Sequence, residues 1–240
     1  MKKTLYRVVV YTFLMFATAF VTLANAGDLS IEKAKQYLAG SFPNAEIDSL
    51  KPAAMPGVYE VVIEGGVYYL TEDGKFLLAG SLYDLENGKD LTKQAKNELR
   101  GNIVAMLSER EAITYAPAEY EYTINVFSDV ECASCRNFHS QIDQVNALGI
   151  RVRYFITPFL GDTAYQKAIG VWCADDRPEA LDKAKLGMAV EDKQCDTPLD
   201  ENLRVAELLG IKGTPSFLLD NGSLLQGYRT PKVLFDEVKK

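Results

Sequence analysis

Phe127-Ser-Asp-Val-Glu-Cys-Ala-Ser-Cys135 is the stretch on which the reading of this chain turns. The residues leading into it, Tyr120-Glu-Tyr-Thr-Ile-Asn-Val-Phe127, are rich in β-formers, and beyond it Phe138, Ile142, Val145 and Leu148 recur at helical spacing. Cys132 is therefore expected at a helix N-terminus, where unsatisfied N–H groups and the helix dipole favour a thiolate. The two-residue spacer puts Cys135 in the same first turn. Thiol–disulfide exchange needs one thiol ionised enough to attack a disulfide sulfur and a second close enough to release the covalent intermediate. A Thr214-Pro215 step much later in the chain completes the pattern: a cis bond is expected there, beside the Cys132 sulfur, where backbone can pair with an extended substrate.

Other uses of a C-x-x-C pair fit less well. Cys173 and Cys195 do not form a second C-x-x-C and the single histidine is His139, so a zinc site is not expected. A c-type haem site needs histidine directly after the second cysteine, where Arg136 stands. A local structural disulfide stays open as an alternative, because cysteines in an oxidising compartment tend to pair. Neither a metal nor a cofactor is called for.

Met1-Lys2-Lys3 and Arg7, an apolar run from Val8 to Leu23, and Ala24-Asn25-Ala26 read as a secretory signal peptide over residues 1–26, cleaved after Ala26. The apolar run is short for a membrane span, so no lasting anchor is expected. Loss of Lys2, Lys3 and Arg7 takes the formal charge from −7 to −10. A chain that acidic does not suit nucleic acid or anionic membrane. All four cysteines follow Ala118, so the amino-terminal part must be held by packing alone, which divides the chain in two.

Residues 27–88 read as a small α+β domain. Ile31, Ala34 and Leu38 fit a short helix from Ser30 to Phe42 with Ser30 as a possible N-cap. Strands follow around Ala45 to Leu50, Val58 to Ile63, Val67 to Thr71 and Phe76 to Leu82, with turns at Gly65-Gly66 and Asp73-Gly74. So small a unit without disulfide or metal gains stability by dimerising. Asp90 can cap a helix in which Leu91, Ala95, Leu99, Ile103 and Leu107 recur; residues 89–111 are read as a linker helix. From 112 to 240, strand, helix, the strand Ile150 to Ile156, a hairpin turning at Asn221-Gly222 and a last helix opened by Thr230-Pro231 give an α/β thioredoxin fold, with a helical insertion at about 160–210.

The stretches Gly66-Val-Tyr-Tyr-Leu-Thr-Glu-Asp-Gly-Lys75, Leu82-Tyr-Asp84, Phe127 to Cys135 with His139, Val171-Trp-Cys173, Cys195-Asp196, Gly213-Thr-Pro215 and Asn221-Gly222, in this order and spacing, resemble the DsbC/DsbG family of periplasmic disulfide isomerases, most closely its DsbC branch. The resemblance spans essentially the whole mature length. It implies a V-shaped homodimer joined through the amino-terminal domains, an uncharged cleft for mis-paired secreted proteins, isomerase and chaperone activity, and re-reduction by a membrane-bound electron donor of the DsbD type. Three positions depart from the family. Ala133-Ser134 replaces Gly-Tyr or Pro-Tyr, Arg136 stands where histidine is frequent, and Glu131 stands where threonine is usual. These are the expected tuning residues, with Glu131 disfavouring the Cys132 anion and Arg136 favouring it.

Cys132 is thus expected to attack and Cys135 to resolve. Cys173 and Cys195, far apart in sequence, are read as a structural disulfide. His139 is expected as a surface helix residue, with a catalytic role left open, and Trp172 as a packing residue. Two rivals share these features: a dithiol oxidase or reductase of the DsbA/DsbG kind, and a redox-independent holdase.

Overall fold

The computed structural model describes residues 26–240, with side chains from Ile31 onward. The expected leader falls outside this range except for Ala26. Two compact units divide between Gly80 and Ser81.

In the first unit, helix α1 (Ala26–Ser41) precedes strands β1 (Ile47–Pro52), β2 (Val58–Ile63), β3 (Gly66–Thr71) and β4 (Leu77–Leu78), which form one antiparallel sheet in that order. Ser30 lies inside α1 rather than capping it. The β2–β3 reversal turns on Glu64 and Gly65, both at positive φ, one residue earlier than the sequence reading placed it. Period-two alternation along β2 and β3 sends Tyr59, Val61, Ile63 and Leu70 against Ala34 and Leu38 of α1, which makes the small core. The last strand is shorter than expected: only Leu77 and Leu78 pair, and Phe76 is exposed.

The second unit opens with a minimal hairpin, β5 (Tyr83–Asp84) and β6 (Lys89–Asp90), turned at Gly88. Asp90 caps helix α2 (Leu91–Met106), its carboxylate accepting from the Lys93 N–H at 2.9 Å. The helix read as a linker lies along the second unit. Ile103, Val104 and Leu107 pack onto a core that contains Phe127, Phe155 and Leu218, and Asn97 Nδ2 donates to Ser223 Oγ at 3.1 Å. The approach is close enough that a Cβ on Gly222, at φ +77°, would run into the Asn97 carbonyl oxygen. At the far end Arg153 donates to the Leu107 carbonyl and to Asn125 Oδ1, both at 2.9 Å.

A five-stranded sheet follows in the order β11-β10-β8-β9-β7, from β7 (Ile113–Tyr115), β8 (Tyr122–Ser128), β9 (Ile150–Ile156), β10 (Ser216–Leu219) and β11 (Leu224–Gln226). Only β8 and β9 pair in parallel; they are buried along nearly their whole length because helices and connections cover both faces. The crossover between them is two helices, α3 (Ala133–His139) and α4 (Ile142–Ala147), where the spacing of apolar residues suggested one. The ladder breaks at Gln141, whose φ of −113° and ψ of 14° are not helical. Helices α5 (Asp162–Trp172), α6 (Arg177–Lys185) and α7 (Leu199–Leu208) form the insertion, and α8 (Pro231–Val238), capped by Thr230, ends the chain. Strand, helix, parallel strand, hairpin and helix make a thioredoxin fold with helices inserted. Within the insertion Cys173 and Cys195 are joined as a disulfide, Cα to Cα 5.7 Å.

Candidate active site

Strand β8 ends in Ser128, and four residues later Cys132 stands as the N-cap of α3 with extended backbone, φ −68° and ψ 121°. In that position its sulfur does what a capping oxygen does elsewhere: it accepts the Cys135 N–H at 3.4 Å. The thiol also donates to the Thr214 carbonyl at 3.3 Å. The Thr214-Pro215 bond, in the loop before β10, is cis. Cys132 is partly exposed, while Cys135 is fully buried. Both thiols are free.

The two sulfurs have different electrostatic surroundings. Desolvation raises the Cys132 pKa, yet hydrogen bonds from the Cys135 thiol, Thr214 and the N–H groups of Cys135 and Ser134 outweigh it and hold the thiol below its ordinary value. Burial dominates at Cys135, and the Cys132 partner adds to it. The charge of Lys185 and hydrogen bonds from Thr214 and Ser128 only partly offset this, so Cys135 is pushed up. The partly exposed thiol is thus the more readily ionised of the two.

The charged neighbours are arranged differently from the expectation that Glu131 and Arg136 would act on Cys132 in opposite directions. Glu131 Oε1 lies 2.6 Å from Lys167 Nζ and Oε2 lies 3.0 Å from Arg136 Nη2. The Lys167 hydrogen bond is the largest influence on the carboxylate and, with the charges of Lys167 and Arg136, outweighs desolvation to hold it below the usual range. The two expected tuning residues are thus bound to each other, and a lysine from α5 completes the group. Ala133 and Ser134 are exposed at the start of α3.

His139 is buried, contrary to the surface position expected of it, because α6 covers that face of α3. Its Nε2 lies 2.9 Å from Asp182 Oδ1 and its Nδ1 lies 3.0 Å from the Tyr154 hydroxyl. An imidazole that donates to the carboxylate from Nε2 accepts the Tyr154 O–H at Nδ1, which satisfies both nitrogens of the neutral ring. Desolvation lowers its pKa, against the pull of Asp182. Tyr115 also donates to Asp182, at 2.6 Å. This network fixes the packing of α3 against α6 and β9; no described contact joins His139 to either sulfur. Trp172 is buried in the main core, and Arg177 lies over its ring at 3.9 Å.

Four polar residues on or bound to the segment around the C-x-x-C were missed. Ser128 and Asp129 lie between the strand and the C-x-x-C, and their nearness in sequence could have flagged them. Asp129 is wholly buried, its carboxylate accepting the N–H groups of Glu131 at 2.7 Å and Leu160 at 2.9 Å, which fixes the loop leading to Cys132. Lys167 and Lys185 come from the insertion, and no sequence pattern marks them out from the other lysines there. Among the described residues no group of acidic, histidine or cysteine side chains is arranged to hold a metal ion.

Residues 24–93 match the family model described as the disulfide bond isomerase protein N-terminal domain, and residues 109–240 match the thioredoxin-like domain model. The thiol:disulfide interchange protein DsbC of Dickeya dadantii is 35% identical over 228 residues, covering 94% of this chain and 92% of that protein. Its counterpart of the same name in Escherichia coli is 33% identical over 226 residues, covering 92% of each. Among solved structures, a disulfide interchange protein from Neisseria gonorrhoeae superposes with a TM-score of 0.50 at 26% identity, over 56% of this chain and 99% of its own. With matching models over both halves and these relatives along nearly its full length, the chain belongs to the DsbC family of thiol:disulfide interchange proteins.

Proposed function

We propose that the protein is a periplasmic disulfide isomerase in which Cys132 is the attacking thiol and Cys135 the resolving one. The observation that carries this reading is the contrast between the two sulfurs: one partly exposed, capping a helix and below its ordinary pKa, the other buried and above it. The Cys132 thiolate attacks a non-native disulfide and forms a mixed disulfide, displacing one substrate sulfur as thiolate. A substrate thiol then re-attacks and leaves with a new pairing, returning Cys132 unchanged. When rearrangement stalls, Cys135 displaces the substrate and leaves the Cys132–Cys135 disulfide, which must be reduced before the next cycle.

Backbone beside the cis Thr214-Pro215 bond is the proposed docking edge for an extended client segment. Residues 27–88 are the proposed dimerisation domain, and pairing of two copies would give mis-folded clients a shared surface. The proposed compartment is the periplasm, an oxidising environment in which a Cys173–Cys195 disulfide persists. The proposed reductant is a membrane-bound dithiol donor of the DsbD type. Among the described residues no helix is long and apolar enough to cross a membrane.

The deciding experiment is recovery of activity from a scrambled multi-disulfide substrate by the reduced full-length protein. An isomerase restores activity catalytically; an oxidase acts only on the reduced substrate, and a holdase suppresses aggregation equally well after Cys132→Ala. Within the assay, Cys135→Ser should accumulate substrate joined to Cys132. Substrate trapped instead on Cys135 in Cys132→Ser would reverse the two roles.

A further inference from the structure

We propose that Lys185, supplied by the helical insertion, handles the proton of Cys135 when that thiol releases substrate from Cys132. The inference rests on the assignment of Cys132 as carrier and Cys135 as resolver. A thiol with no exposure must lose a proton before it can attack, and solvent cannot take it directly.

Lys185 is the last residue of α6 and only 5% exposed. Its Nζ donates to Ser128 Oγ at 2.7 Å and to the Asp129 carbonyl at 2.8 Å, both at the end of the strand that leads to Cys132. A lysine so buried ordinarily meets a carboxylate. Here neither acceptor is charged, and the Asp129 carboxylate oxygens are taken by the N–H groups of Glu131 and Leu160. Two acceptors suit the two N–H bonds of a neutral amine, leaving its lone pair available for a proton. Ser128 links the amine to the thiol's surroundings: its oxygen lies 2.7 Å from Lys185 Nζ, and its hydroxyl is among the groups that pull the Cys135 pKa down against burial.

Charges reach Lys185 from several elements. Cys135 is the strongest of them, Asp129 and Cys132 also favour its charged form, Arg136 opposes it, and the titratable His139 and the Tyr154 ring, at 5.9 Å, lie nearby. Desolvation outweighs the anions and lowers the ammonium pKa to about 8, so neutral amine is within reach near physiological pH. In the resolving step the 2.7 Å contact reverses: the amine turns its lone pair to the Ser128 O–H, the Ser128 oxygen takes the Cys135 S–H proton, and the hydroxyl proton passes to the amine. The Cys135 sulfur bonds to Cys132 Sγ, the Cys132–substrate S–S bond breaks, and the substrate sulfur leaves with the bonding pair. It then takes the proton held by Lys185. Cys132 and Cys135 end as a disulfide and the substrate as a thiol, with no further oxidant needed.

The test mixes the reduced full-length protein with glutathione disulfide, quenches with acid, and follows by mass the glutathione adduct on Cys132 and its release across a pH series. Lys185→Met and Lys185→Gln should still form the adduct and slow its release about tenfold at neutral pH, well beyond any change in its formation, the gap closing as alkali ionises Cys135 unaided. Ser128→Ala should slow release as well. Replacing a buried cation by an apolar residue of similar size is often neutral or stabilising, and formation of the Cys132 adduct certifies the site. Should both Lys185 variants fail to fold, Ser128→Ala decides, and unaltered release there overturns the proposal. Unaltered release and pH profile in folded Lys185 variants overturn it too, while leaving the roles of the cysteines intact. Glutathione found on Cys135 instead would overturn both.

Discussion

Glu131 and Lys167 form an ion pair of 2.6 Å immediately beside the exposed thiol, and the second oxygen of the same carboxylate holds Arg136 at 3.0 Å. The carboxylate therefore masks two cations near Cys132. Glu131→Gln should unmask them and lower the Cys132 pKa by up to about one unit, the typical scale for a partly solvated neighbouring charge. Ultraviolet titration of the thiolate checks this. A rise would mean that the freed cations turn away into solvent.

The packing of α2 on the second unit predicts where that unit can be cut. A fragment beginning at Ser81 should fold and exchange thiols with a small disulfide. One beginning at Ala112 loses the cover that Ile103, Val104 and Leu107 give to Phe127 and Phe155, and removes two partners of Arg153, the Leu107 carbonyl and Glu109. Stripping such contacts should cost about 2–5 kcal/mol, read as an earlier midpoint in urea. Equal midpoints for the two fragments would show that α2 adds nothing.

Gly222 tests the same contact from the other side. Alanine there combines positive φ with a Cβ driven into the Asn97 carbonyl, so backbone must shift. Gly222→Ala should destabilise the protein by about 1–3 kcal/mol and speed amide exchange in α2. Unchanged exchange in that helix would place the strain in the turn alone.

His139 gives the fold an acid-sensitive element. Burial lowers its folded pKa beneath the 6.5 expected of the unfolded chain, so its contribution to stability is full above 6.5 and is lost as pH falls through the lower folded value. His139→Gln keeps a donor and an acceptor but cannot titrate. Its stability should decline less than that of wild type between about pH 7 and about pH 5 in denaturant titrations. Parallel curves would assign the acid sensitivity elsewhere.

Much of this architecture was legible because local chemistry and period agree. The C-x-x-C lies between a β-rich run and helical spacing, Asp90 and Thr230 precede apolar-periodic segments, and Asn221-Gly222 can do little but turn. What escaped depends on which face of an element is covered, and period does not report that. Helix α6 carries Arg177, Asp182, Lys183 and Lys185, a pattern that suggests a solvated surface. Folding turns Asp182 toward His139 and buries Lys185 beneath the thiols. The periodicity of α2 likewise shows an apolar stripe without naming the core it covers.

Only one of the two sulfurs has access to solvent, so the site behaves as a port with a single berth. Client, reductant and alkylating agent must all occupy the same Cys132 sulfur in turn. Turnover should therefore follow a ping-pong scheme, and an excess of any one thiol partner should act as a competitive brake on the others.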